Sequence, residues 1–164
     1  MLGLTTLGLL HTAVSLVAVA AGALALLRQG AITGRTQLGQ VYVITTVITC
    51  LTGFGIFQHG GFGKPHALGL LTLIVLALAW WMEHGAAASA WARIVATVAY
   101  SASFLFHLIP AITETSTRLP LGAPLLASAE APELKAATGV LALLFLAGAA
   151  WQVLRMRRSG TAPA

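Results

Sequence analysis

The stretch QHGGFGKPH, residues 58–66, is a short polar connection between two long apolar runs. Its three glycines can take backbone conformations that are closed to other residues, and its proline suits the first turn of a new helix. The stretch therefore predicts a tight turn where two helices meet. Because His59 and His66 flank the turn, we expect both imidazoles at the same face of a membrane.

The composition around this turn is that of an integral membrane protein. Of the 164 residues, 58% are hydrophobic and 8% are charged, and the mean hydropathy is +0.90, values far outside soluble-protein usage. The formal charge of +5 comes from Lys and Arg in the loops and the tail, which is typical of topology signals in a lipid bilayer and not of a nucleic-acid-binding surface. The single cysteine, Cys50, excludes a disulfide framework and a Cys-based metal motif.

Apolar runs divide the chain into membrane spans, since about 20 residues at about 1.5 Å each cross a hydrocarbon core of about 30 Å. We predict an all-α bundle of five transmembrane helices, with spans at about 3–27, 38–58, 66–82, 88–110 and 136–154. The spans form one domain, residues 1–158, and a disordered tail follows at 159–164. The first run lacks a basic n-region and is expected to be retained. Pro110 is expected to end or kink the fourth helix, before one long loop at 113–135.

Loop charges predict the orientation. With five spans, the first loop, the third loop and the C-terminus share a side that carries six of the nine basic residues: Arg28, Arg35, Arg93, Arg155, Arg157 and Arg158. The positive-inside rule then places the C-terminus in the cytoplasm and the N-terminus outside. The same topology brings four of the five histidines to the outer face and leaves only His84 on the cytoplasmic side.

Those four histidines are the candidate site. Imidazole is the commonest protein ligand for zinc, copper and haem iron, and ionisable groups within a bilayer are costly enough to suggest a function. We take His11, His107 and His66 as candidate cofactor-binding residues, and add His59 to them as a candidate metal ligand. The alternative is that each histidine only bonds to a neighbouring carbonyl or hydroxyl group.

Known catalytic motifs are missing from the sequence. It has neither the zinc spacing His-Glu-x-x-His nor a Gly-rich phosphate loop nor Cys-x-x-Cys. No carboxylate falls inside a predicted span to orient a histidine, so no catalytic residue is named and enzymatic activity stays open.

Other polar residues have simpler interpretations. The threonines of the second span, at positions 45, 46, 49 and 52, are expected to bond back to their own helix. Ala18 and Gly22 are spaced for close helix approach. Glu114 and Arg118 are spaced for a surface ion pair.

Several short motifs resemble a known family. They are the step Gly39-Gln-Val-Tyr42, the hairpin Phe62-Gly-Lys-Pro-His66-Ala-Leu, and a later Arg118-Leu-Pro. Together with His11 in the first span they resemble small bacterial multi-span membrane proteins classed as a domain of unknown function. That family often has His-Arg before its second span, where this chain has Thr-Gln at 36–37. The resemblance implies a bacterial inner-membrane location and a histidine-bearing hairpin, and it implies no reaction.

Three functions follow from these observations. The leading hypothesis is a haem or transition-metal ion bound by the histidines near the outer leaflet, for electron transfer or metal handling. The alternative is a non-enzymatic membrane subunit or assembly factor that binds a membrane protein partner through its long outer loop. A small proton-coupled transporter is the third. It is disfavoured because no Asp, Glu or Lys lies within a predicted span and the one Arg, Arg93, lies near the start of the fourth span.

Overall fold

A computed structural model describes residues 5–56, 61–85 and 89–160, and within these ranges the chain forms helices and no strands. The helices are α1 (Thr6–Gln29), α2 (Gln37–Gly53), α3 (Lys64–His84), α4 (Ala90–Arg118) and α5 (Pro132–Gly160). The predicted all-α fold is confirmed. Helices α1, α3, α4 and α5 are long and apolar enough to cross a membrane. Helix α2 has 17 residues and rises only about 26 Å, less than the hydrocarbon core of about 30 Å.

Polar side chains set where three of the helices begin. Thr5, Thr36 and Ser89 each accept a hydrogen bond from a backbone N–H in the first turn, at 3.1, 3.2 and 3.1 Å, as N-cap residues do. Gly30 ends α1 with a positive φ of 76°, and its N–H donates to the carbonyl of Leu26. This left-handed cap reverses the chain into α2.

Several predicted helix ends were wrong. Helix α4 continues through Pro110 to Arg118, because the proline costs one backbone hydrogen bond while ending the helix in an apolar environment would expose many. The long loop is therefore 119–131 instead of 113–135. Helix α2 ends at Gly53, five residues earlier than predicted, where Gly53 and Gly55 weaken the helix.

The ends of α3 and α5 also differ from the predicted spans. Helix α3 begins and ends two residues outside the predicted span 66–82. Helix α5 begins at Pro132 and extends to Gly160, so the first two residues of the predicted tail are helical, while 161–164 lie outside the described residues.

Contacts between the loops define the two ends of the bundle. At one end, the α1–α2 turn contacts the end of α3 through Gly34 and Glu83, and contacts α5 through Gly30 and Gln152. We call this the basic end, because five of the arginines on the predicted cytoplasmic side lie in α1, in the α1–α2 turn or in α5 near these contacts. At the other end, which we call the histidine end, α1 contacts α2 through a hydrogen bond of His11.

The interior of the bundle holds many small and polar residues beside a few large ones such as Tyr42 and Tyr100, and its outside is largely apolar. Ala18, Ala21 and Ala25 bury one face of α1. A Cβ added at Gly22 would lie 2.7 Å from the ring of Phe104, so α1 and α4 pack closely at this level. The buried polar residues are Thr46, Thr49, His66, Thr72, Ser101, Ser103, His107 and Gln152. Large exposed aliphatic and aromatic side chains cover α1, α3 and α5, as expected of helices that face lipid.

Candidate functional site

His11 lies on α1, and its hydrogen bond to α2 fixes its tautomer. The Nδ1 atom is 3.1 Å from the hydroxyl oxygen of Thr52. That hydroxyl directs its only hydrogen at the carbonyls of Ile48 and Thr49, at 2.8 and 3.0 Å. Thr52 therefore accepts from His11 Nδ1–H, and the lone pair of the neutral ring is on Nε2. Gly53 leaves room beside the ring, since an added Cβ would lie 3.2 Å from its Cε1.

His107 lies on α4 and is 6% exposed. Its ring centroid is 6.4 Å from that of Tyr42 on α2. Within residues 5–56, 61–85 and 89–160, its buried Nε2 has no hydrogen-bond partner. A buried polar atom left in this state is costly and calls for an explanation.

The two histidines of the predicted pair, His11 and His107, lie on helices that contact each other. The imidazoles of His11 and His107 are close enough to interact electrostatically, and α1 contacts α4. Glu114, one helical turn before the end of α4, also interacts electrostatically with His11. Its carboxylate forms an ion pair with Arg118, as the spacing of the two residues predicts.

The other histidines have different surroundings. His66 is buried in the first turn of α3, where its Nδ1 accepts a hydrogen bond of 3.2 Å from the N–H of Gly63 and so caps the helix. Its ring packs on Phe62 at 5.4 Å between centroids. His59 lies outside the described residues. His84, at the basic end, donates from Nδ1 to the backbone carbonyl of Trp80 at 3.0 Å, and its imidazole stacks on the indole ring of Trp80.

The described residues form no metal site with three protein ligands. In the part of the chain that the structure describes, no three His, Cys, Asp or Glu residues are grouped so that they could hold a metal ion. Of the predicted metal ligands, His11, His66 and His107 therefore do not form one three-residue metal cluster within the described residues, and His59 lies outside them.

Hydroxyl groups continue the polar interior from His107 toward the basic end. Ser103 donates to the carbonyl of Tyr100 at 2.8 Å, so the hydroxyl of Tyr42, at 2.7 Å, must be the donor in its bond with Ser103. Three of the four α2 threonines donate to carbonyls of their own helix, as predicted: Thr45, Thr49 and Thr52. For Thr46 the prediction was wrong, because within the described residues its hydroxyl makes no bond to a carbonyl of α2.

Glu83 is the polar residue whose importance the sequence did not reveal. Its carboxylate accepts hydrogen bonds from the hydroxyl of Thr33, from the N–H of Gly34 at 3.0 Å and from the hydroxyl of Tyr100 at 3.0 Å. The backbone carbonyl of Glu83 accepts from the guanidinium of Arg35 at 2.6 Å. The expectation that no acidic residue lies within a span was wrong, because Glu83 belongs to α3 and Glu114 to α4. An acidic residue directly after a long apolar run was the available signal.

The loop 119–131 folds back onto the histidine end. The N–H of Leu126 donates to the carbonyl of Ser116 at 3.0 Å, and Glu130 forms an exposed ion pair of 2.8 Å with Lys64 at the start of α3. The hydrogen bond and the charge of Lys64 hold the pKa of the Glu130 carboxyl below its usual value. The loop between α4 and α5 therefore also contacts the start of α3.

No family model, curated protein or solved structure matches the chain. The resemblance to small bacterial membrane proteins therefore stays an expectation, and the functional reading depends on the geometry of the histidines.

Proposed function

We propose that this membrane protein holds haem iron, or a transition-metal ion, through the Nε2 atoms of His11 and His107, for electron transfer or metal handling. The observation that carries the proposal is the buried Nε2 of His107, which has no hydrogen-bond partner among the described residues and lies on a helix that contacts the helix of His11. The hydrogen bond of His11 to Thr52 supports it, because a ligating histidine almost always donates its other ring N–H to a nearby acceptor.

Haem requires fewer protein ligands than a bare zinc ion. A structural or catalytic zinc ion takes three or four protein ligands, and the described residues provide no such group. Haem iron needs only one or two axial ligands. The two histidines lie on contacting helices, α1 and α4, and facing helices of a bundle are where cofactor sites are built.

Spectroscopy of the purified protein tests the proposal. The protein is expressed with added iron and haem precursor, purified in detergent, and measured by absorbance before and after reduction, with metal analysis of the same sample. We expect a haem spectrum that is largely lost in His11→Ala and in His107→Ala. His84→Ala is the matched control, because this histidine lies at the other end of the bundle and should be dispensable. Wild-type protein that carries neither haem nor metal would refute the proposal and favour a membrane subunit or assembly factor.

Proton transfer is a second candidate, because acidic residues lie within two of the helices. Glu83 and Glu114 lie toward opposite ends of the bundle, with hydroxyl and imidazole groups between them. Ionisable groups within membrane helices mark proton pathways in membrane proteins, and of these two only Glu83 is largely buried. Protein reconstituted in vesicles with a pH-sensitive dye should then show proton flux that Glu83→Gln lowers. Equal flux in wild-type and variant vesicles would exclude this role.

We also propose a bacterial inner-membrane location with the basic end in the cytoplasm. The excess of arginine at that end supports this orientation. With Cys50 replaced by Ser, a cysteine at position 128 should react with an impermeant thiol reagent in intact cells, and one at position 33 should not. Equal labelling of both positions would refute the orientation.

A further inference from the structure

Helix α5 carries a groove at the basic end that the proposed function does not use. The groove has a volume of about 320 Å³ and is lined by Trp151, Leu154, Arg155 and Arg158. These positions are spaced three, four and seven residues apart, so they lie on one face of the helix. A volume of this size is at the lower end of the range for small-ligand sites.

The groove combines an apolar floor with two guanidinium groups. The guanidinium carbon of Arg155 lies 5.4 Å from the ring centroid of Trp151, and the same two side chains lie against Gly30 at the end of α1. Arg158 is one helical turn farther from the bundle centre. Arginine presents its N–H donors in a fork that matches a phosphate group.

The order of residues along α5 matches the layers of a membrane surface. Trp151 is exposed and precedes the two arginines, as an aromatic residue does at the boundary between hydrocarbon and headgroups. Seven and eleven residues before the tryptophan, on the same face, Leu144 and Val140 are exposed. The apolar end of the groove is therefore continuous with a surface that faces lipid chains.

The charge at this end also favours an anionic ligand. Arg155 and Arg158 both line the groove, and Arg157 adds a third positive charge to the same turn of α5. Basic pockets at the cytoplasmic ends of membrane helices bind anionic lipid headgroups. We infer that the groove of Trp151, Arg155 and Arg158 binds the phosphate of an anionic phospholipid, whose acyl chains follow the exposed face of α5.

Native mass spectrometry of the full chain in detergent tests this inference. Phosphatidylglycerol and phosphatidylcholine are added in equal amounts, and the fraction of protein that retains each lipid is measured. We expect wild-type protein to retain several times more phosphatidylglycerol than phosphatidylcholine. The double variant Arg155→Gln/Arg158→Gln should lose this preference. Arg157→Gln, which removes a neighbouring charge that does not line the groove, should keep it.

Three outcomes would overturn the inference. They are the absence of a preference in the wild-type protein, an equal loss in Arg157→Gln, and displacement of phosphatidylglycerol by inorganic phosphate at millimolar concentration. The last would assign the groove to a free anion. Because Arg155 lies against the end of α1, replacing it could also change the folding of the bundle. The single variant Arg158→Gln avoids that contact and must by itself lower the preference for phosphatidylglycerol.

Discussion

Replacing Glu83 by Ala should destabilise the bundle strongly, because one side chain joins three elements. Its carboxylate is 9% exposed and accepts from the hydroxyls of Thr33 and Tyr100 and from the N–H of Gly34. In the alanine variant the two hydroxyls can turn toward other acceptors. The backbone N–H cannot turn, and it loses its acceptor in a place where it is held against α3.

The magnitude follows from these three bonds. A hydrogen bond to a charged acceptor contributes about 1.5–3 kcal/mol, and the two hydroxyls recover part of their share, so we expect Glu83→Ala to lose about 3–4 kcal/mol of unfolding free energy. Glu114→Ala is the matched control at the other end of the bundle. Its ion pair with Arg118 is partly exposed, and such pairs contribute less than about 1 kcal/mol.

Reversible unfolding in mixed micelles, followed by far-ultraviolet circular dichroism, measures both variants under one condition. The ordering of the two losses is the decisive result. If Glu83→Ala unfolds within about 1 kcal/mol of the wild type, the network at the basic end does not stabilise the fold.

Two further predictions concern packing and the loop. Gly22→Leu should lower the unfolding free energy by about 1–3 kcal/mol in the same assay, because a Cβ there would already lie 2.7 Å from the ring of Phe104 on α4. Gly139→Leu should be nearly neutral, because a Cβ at Gly139 would have no neighbouring atom within 4 Å. Equal losses in the two variants would show that α1 and α4 do not pack closely at Gly22. Because the pKa of Glu130 is lowered in the folded protein, its ion pair with Lys64 should be fully formed above about pH 4.5. The ion pair should be lost as the pH falls through the folded-state pKa. Hydrogen exchange of residues 119–131, corrected for its intrinsic pH dependence, should show this loss of protection in the wild type and no such step in Glu130→Gln.

Much of the fold could be predicted because apolar runs and membrane physics leave few choices. Uncharged runs of about 20 residues must form helices where backbone groups cannot reach water. The ends of the helices were harder to predict, because local signals such as proline and glycine compete with the requirement for hydrogen-bonded backbone groups. Pro110 suggested an end, but the helix continues to Arg118. Gly53 gave a weaker signal and ended α2 early.

The site was predictable only in part. The spacing of His11 and His107 along a five-span topology predicted that both would lie in the outer half of the bundle, and in the structure the two residues lie on contacting helices. The sequence could not show that Thr52 fixes the tautomer of His11, or that His66 caps α3, because both depend on side-chain geometry. Nor could it show that the carboxylate of Glu83 accepts a hydrogen bond from Gly34, in a turn 49 residues earlier in the chain.

The spin state of bound haem tests the central claim most directly. Two imidazole ligands, from His11 and His107, should give low-spin ferric iron in the electron paramagnetic resonance spectrum of the wild-type protein. Any haem retained by His11→Ala or by His107→Ala should become high-spin, and after reduction should bind carbon monoxide, while His84→Ala should resemble the wild type. Haem that stays low-spin in both alanine variants would show that these histidines are not its ligands, and would contradict the account.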